Sequence, residues 1–208
     1  MSPLKIRQTK INYRTIGKLI DNELKQLAIL ASGNGSNAEE IIRHFKDSSK
    51  ATIALVGSNK KDAYVLERAR NHNIPHFSFT KADLEEGRLK DQLLALKIDL
   101  IILAGFLLKI PEHLIAAFPD RIINIHPSLL PKYGGKGMYG SFVHQAVKDN
   151  QEEFTGITIH YVNQHYDEGK VIFQEKVAIS PDDSPEIIAQ KVHALEHKYF
   201  PKVIESLL

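Results

Sequence analysis

Asn124 and His126 stand two residues apart in Asn124-Ile125-His126-Pro127-Ser128-Leu129-Leu130-Pro131. An amide can donate a hydrogen bond to a developing oxyanion, and an imidazole can hold or move a proton near neutral pH. At positions i and i+2 of a strand the two side chains share a face. Asp167, in Tyr166-Asp167-Glu168-Gly169, supplies a carboxylate 41 residues beyond His126. Brought close, it would favour the imidazolium and raise the histidine pKa. There is no cysteine and no Gly-x-Ser-x-Gly elbow to act as nucleophile. The set therefore suits direct attack by a substrate amine on a carbonyl. Each residue also has a plainer reading: Asn124 as a turn former, His126 as a surface histidine, Asp167 as turn chemistry before Glu-Gly.

A second stretch, Ser32-Gly33-Asn34-Gly35-Ser36-Asn37, follows an apolar run and precedes a helical pattern. A strand-to-helix junction of this kind exposes backbone N–H groups and the positive end of the helix dipole to an anion. Glycines let the backbone approach an oxygen closely, and Ser36 and Asn37 add donors. Residue 38 is Ala and no Lys-Ser/Thr follows, so neither G-x-G-x-x-G nor a P-loop is formed. A phosphate is expected here rather than a nucleoside triphosphate. The plain alternative is a glycine-rich turn.

The elements that must position these residues alternate. Buried strands are predicted at Leu27–Ala31, Ala51–Gly57, Pro75–Phe79, Asp99–Ala104 and Arg121–His126. Helices are predicted between them at Asn37–Phe45, Asp62–Asn71, Asp83–Lys97 and Pro111–Phe118, then at Ser141–Asp149. Phe154–Val162 alternates with period two and Lys170–Ala178 does so more loosely, which predicts antiparallel additions to the sheet. A long helix from Ser184 to about Leu207 closes the chain, with a kink or break expected at Pro201. The fold class is thus α/β: one Rossmann-like domain with a mostly parallel twisted sheet, helices on both faces and a long C-terminal helix. Residues 1–26 form a basic, weakly patterned extension, with a short helix expected near Ile16–Leu24, and residues 27–208 the domain.

Composition narrows the function. The chain has 208 residues with a formal net charge of +2, so no strong field points to nucleic acid. Cysteine is absent, which excludes disulfides and thiolate metal sites and suits a reducing, cytoplasmic setting. No apolar run reaches the roughly 18 residues of a membrane span. His193 and His197 sit at i and i+4 beside Glu196 but lack a third ligand nearby, and no metal is expected. Small-molecule substrates are the expected partners.

The motifs occur in one order: Ala-Ser-Gly-Asn-Gly-Ser-Asn (31–37), Leu-Ala-Gly-Phe (103–106), Asn-Ile-His-Pro-Ser-Leu-Leu-Pro (124–131), Gly-x-Thr-Ile-His-Tyr-Val (156–162), Asp-x-Gly (167–169) and Glu-His-x-x-x-Pro (196–201). In this the chain resembles the phosphoribosylglycinamide formyltransferase family of folate-dependent formyltransferases, from about Leu27 onward. The resemblance implies transfer of the formyl group of 10-formyltetrahydrofolate, a co-substrate, to the amine of 5′-phosphoribosylglycinamide in purine synthesis. It implies Asn124, His126 and Asp167 as the catalytic three. Gly35, Ser36 and Asn37 would hold the phosphate, Glu196 the ribose hydroxyls, and Gly105 would admit the glycinamide end. Leu107, Leu108 and Ile110, with Asn124 and the loop Asn163, Gln164, His165, Tyr166 and Asp167, would form the slot for the folate ring.

The chain departs from the family pattern in a longer glycine-rich stretch at 133–141 and in Gln164, where an acid is common. Arg88 and Lys109 are the candidates for the folate glutamate tail. Rival readings are a formyltetrahydrofolate hydrolase, expected to carry a further N-terminal domain, a methionyl-tRNA formyltransferase, expected to carry a basic C-terminal one, and a non-catalytic sugar-phosphate or folate binder.

Overall fold

The computed structural model describes residues 24–208, so the helix expected near Ile16–Leu24 and nearly all of the 1–26 extension lie outside the described residues. The element order is β1 (Lys25–Leu30), α1 (Ser36–Phe45), β2 (Ala51–Ser58), α2 (Tyr64–Asn71), β3 (His76–Ser78), α3 (Lys81–Glu85), α4 (Arg88–Ala95), β4 (Leu100–Leu103), α5 (Glu112–Ala117), β5 (Ile122–His126), α6 (Ser141–Asp149), β6 (Phe154–Tyr161), β7 (Val171–Ala178) and α7 (Pro185–Ser206).

The strands form one sheet of seven in the order β3-β2-β1-β4-β5-β6-β7. The first five are parallel; β6 runs antiparallel to β5, and β7 antiparallel to β6. The strand order reverses direction between β1 and β4, and ligands of open α/β sheets bind in the crevice beyond the strand ends at such a point.

Alternation along the central strands divides the core. Leu27, Ile29, Leu100, Ile102, Ile123 and Ile125 face α1, α2 and α7, where they meet Ile41, Val65 and Phe200. Ala28, Leu30, Ile101, Leu103 and Ile122 face the other way, against Leu84, Leu89, Leu93 and Leu114 of α3, α4 and α5. Both faces are covered, which is why these strands read as continuous apolar runs.

Three local expectations are corrected. The helix expected over Asp83–Lys97 is two helices, because Gly87 takes a left-handed conformation (φ 86°) between them. Its true start is Thr80, whose hydroxyl accepts from the Asp83 N–H while the Asp83 carboxylate accepts from the Thr80 N–H. The helix expected from Asp62 starts at Tyr64 after Ala63. Pro201 neither ends nor interrupts α7, which runs on to Ser206. Its missing N–H forfeits the bond to the His197 carbonyl, but Phe200, Pro201, Val203 and Ile204 are all buried, and that packing holds the last turns in place.

Candidate active site

The site lies at the ends of β1, β4 and β5. Asn124 and His126 project from the same face of β5, and the β5–β6 register sets Asn124 across from His160 and His126 across from Thr158. Asp167 arrives from the loop between β6 and β7. Gly169 makes that loop close tightly: a Cβ there would sit 1.7 Å from the Tyr161 carbonyl oxygen. Asp167 itself is left-handed (φ 57°), as is Tyr133 (φ 58°), at about 1 kcal/mol or more each.

These constraints bring the predicted three together. The Nδ1 of His126 lies 3.5 Å from Asp167 Oδ2, and its Nε2 lies 2.7 Å from the Tyr133 carbonyl oxygen. Asp167 Oδ2 also accepts the Gly135 N–H at 2.9 Å. Both ring nitrogens of His126 thus face oxygen acceptors, an arrangement made for imidazolium. The ring is only 4% exposed, however. Burial outweighs the Asp167 charge and the Tyr133 bond, with His160 adding to burial, and the His126 pKa is lowered rather than raised. The sequence-based expectation of a raised value is corrected: the carboxylate acts in the expected direction but loses to desolvation. At Asp167 burial raises the pKa, but the bond with His160, the His126 charge and the Gly135 N–H more than offset it, leaving a carboxylate below its ordinary range.

His160 is the member that sequence reasoning passed over. Its Nδ1 donates to the Tyr161 carbonyl at 2.9 Å, and its Nε2 lies 3.1 Å from Nδ2 of the Asn124 amide. The same Nε2 lies 3.6 Å from Asp167 Oδ1. The signal was its place in the alternating Ile-Thr-Ile-His run, but its partner could be known only from the register.

The loop 32–37 forms the opposite wall. Gly35 is the left-handed N-cap of α1 (φ 74°), and no side chain caps the helix, so its first N–H groups stay open to a ligand. Ser32 ties this loop to its neighbours: its N–H donates to Gly105, and its hydroxyl accepts from Leu107 N–H at 2.9 Å and donates to Asn59 Oδ1 at 2.6 Å. Glu196, 5% exposed, descends from α7 and accepts from Asn37 Nδ2 at 2.8 Å. Burial raises its pKa against the opposing effects of that bond and His193.

One cavity of about 560 Å³ joins these walls. Its lining includes Gly35, Ser36, Asn37, Gly105, Leu107, Asn124, His126, Tyr166, Asp167 and Glu196, together with Lys136, Met138 and Tyr139 of the glycine-rich stretch and the histidines 144 and 193. Other predicted residues lie outside it. Ile110 is buried in the core beneath α5 and Leu108 packs against that core. Asn163, Gln164 and His165 are exposed, with Asn163 Oδ1 accepting the His165 N–H in a local turn. Arg88 is engaged by Asp83 and Glu86, and Lys109 Nζ lies 5.9 Å from the centre of the Tyr166 ring. Among the described residues no cluster of three or more metal-ligating side chains forms.

The family described as formyl transferase matches residues 25–204. This chain belongs to the formyl transferase family. It is 41% identical over 190 residues to the chloroplastic phosphoribosylglycinamide formyltransferase of Arabidopsis thaliana, covering 88% of this chain and 65% of the plant protein. It is 40% identical over 191 residues to the phosphoribosylglycinamide formyltransferase of Bacillus subtilis, covering 89% of this chain and 95% of the bacterial one. Among solved structures, glycinamide ribonucleotide transformylase 1 of Geobacillus kaustophilus is similar with a TM-score of 0.82 at 35% identity, over 89% of this chain and 100% of that one. The chain spans less than two thirds of the length of the two plant relatives, 65% and 61%. As a formyl transferase fold, the sheet assigns its parallel half to the glycine loop and its antiparallel half to Asp167 and His160. Among the described residues no helix is long and apolar enough to cross a membrane.

Proposed function

We propose that this formyl transferase moves the formyl group of 10-formyltetrahydrofolate onto the amine of 5′-phosphoribosylglycinamide. The observation that carries the reading is one cavity bounded on one side by Asn124, His126 and Asp167 and on the other by the open N-terminus of α1 with Glu196. A sugar phosphate fits the second wall, and acyl chemistry fits the first. The names of the bacterial and plant relatives point the same way.

In this reading the phosphate lies on the N–H groups of residues 35–37 and the Ser36 hydroxyl, and Glu196 accepts from the ribose hydroxyls. The folate ring lies against Leu107 and Tyr166, with Leu108, Ile110 and residues 163–165 behind that slot or at its rim. The neutral amine attacks the formyl carbon; a C–N bond forms and the carbonyl oxygen becomes an oxyanion. Asn124 meets it with the amide N–H not given to His160, and His126 as imidazolium adds charge. The proton lost by the amine passes to N10 of the folate, and the bond from N10 to the formyl carbon breaks. Asp167 keeps the imidazolium in reach despite its burial. Holding both substrates in contact supplies much of the acceleration. A cytoplasmic setting belongs to the same reading, since a cysteine-free chain suits a reducing compartment; the names of the two plant relatives place those proteins in the chloroplast.

The test is folate absorbance with purified protein, with and without the ribonucleotide. Release of tetrahydrofolate only when the nucleotide is present supports transfer. Release without it would make the chain a hydrolase, and no release in either case would make it a binder.

A further inference from the structure

The loop that faces the anion is Gly33-Asn34-Gly35, and two glycines around one asparagine cannot hold N–H groups in a converging array by themselves. Beyond the bonds made by Ser32, what holds Gly33 and Asn34 is α2, an element that contributes nothing to the cavity lining. The Val65 N–H donates to the Gly33 carbonyl at 3.2 Å. One turn further on, Arg68 donates from Nε to the Asn34 carbonyl at 2.8 Å and from Nη2 to the Asn34 Oδ1 at 2.7 Å. These donors lie on one edge of the guanidinium, so the planar fork grips the backbone and the side chain of a single loop residue.

The third nitrogen has a separate task. Arg68 Nη1 lies 3.4 Å from Oε2 of Glu39, a carboxylate only 8% exposed in the first turn of α1. An uncompensated negative charge there would oppose an anion at the helix start. Arg68, Arg43 (3.0 Å) and His72 (2.8 Å) surround it. The guanidinium is fixed from outside by the Tyr64 ring, 4.9 Å away.

We propose that Arg68 is a positioning residue for the nucleotide: it never touches substrate, but it pre-forms the phosphate loop by clamping Asn34. The inference rests on the proposed reading of residues 33–37 as that loop. Because the clamp acts on ground state and transition state alike, its loss raises the nucleotide KM and leaves kcat and the formylfolate KM alone.

The experiment measures ribose 5-phosphate binding by calorimetry and the transfer kinetics of wild type, R68A, R68K, N34A and the R68A/N34A double variant. R68A is expected to weaken ribose 5-phosphate and raise the nucleotide KM about tenfold, with kcat within twofold. R68K keeps the charge but not the fork, and recovers less than half of that loss on a logarithmic scale. N34A removes one of the two acceptors and costs about threefold, and the double variant loses no more than R68A. If R68A does not fold, N34A and R68K carry the test. Wild-type affinity in R68A or, where that variant does not fold, in N34A overturns the proposal. So does full rescue by R68K, or additive losses in the double variant. A wild type that transfers formyl while R68A binds normally removes this inference alone; a wild type that neither binds ribose 5-phosphate nor transfers removes the proposed function and this inference with it.

Discussion

The amide of Asn124 is held by His160 from across the sheet: its Nδ2 lies 3.1 Å from the His160 Nε2, the ring atom that also stands 3.6 Å from Asp167. One imidazole, 2% exposed, therefore orients an amide and an acid that come from different parts of the chain. Replacing His160 with alanine should lower kcat by about tenfold or more while the nucleotide KM stays within a few fold, because the lost contacts position groups that act in the transition state. Steady-state kinetics with each substrate varied decide this; an unchanged kcat would leave His160 as filler.

Asp167→Asn separates charge from shape. The pKa of His126 is already lowered by burial, and the carboxylate is what opposes that. Without it the imidazolium is lost at still lower pH. The high-pH limb of the kcat profile should move to lower pH, and turnover at pH 7.5 should fall by at least about tenfold. An unshifted limb would show that His126 does not work as a cation.

Gly35→Ala tests the loop's geometry. At φ 74° an alanine is strained, and its Cβ would sit 2.4 Å from Val65 Cγ2. A loss of about 2 kcal/mol or more in unfolding free energy is expected, with nucleotide affinity falling further than folate affinity. Denaturant titration and binding measured together check both; wild-type stability would contradict the clash.

His144, which lines the cavity but has no part in the proposed transfer, predicts acid sensitivity. Burial, with His193 and His126 adding to it, pushes its pKa down to about 4 from an ordinary 6.5. The folded chain holds this ring neutral, while the unfolded chain protonates it below about 6.5. Between those values the unfolded state binds more protons, so stability falls as pH falls. The Tm of the wild type should therefore drop between pH 6.5 and 4, and His144→Phe should flatten that slope. Parallel curves for the two proteins would rule His144 out as the source.

Most of the central sheet was legible because strands buried on both faces are apolar throughout, and Leu27–Ala31 or Asp99–Ala104 admit little else. The α3–α4 break was less so: Gly87 sits within a helical pattern, and only its left-handed φ shows that it divides two helices. Thr80-Lys81-Ala82-Asp83 carried a capping box that the pattern of charges concealed. The break expected at Pro201 does not occur, because the burial that offsets its local cost comes from distant strands. At the site, the i, i+2 spacing was enough to pair Asn124 with His126. His160 and Arg68 were not legible, since their meaning comes from partners 36 and 34 residues away. The sign of the His126 shift was missed for a related reason: sequence names the neighbour but not the depth.

Asp167 rides on the hairpin at the border of the sheet, where β7 has a partner on one side only, whereas the glycine loop springs from β1, which is paired on both sides. Borders fray before centres. On the proposed reading, a molecule slightly warmed or slightly loosened would give up its acid while still gripping sugar phosphate, and so would become a sink that sequesters one substrate without converting it. In a cell such damaged copies would do more than fall silent, because they would draw the nucleotide away from intact ones.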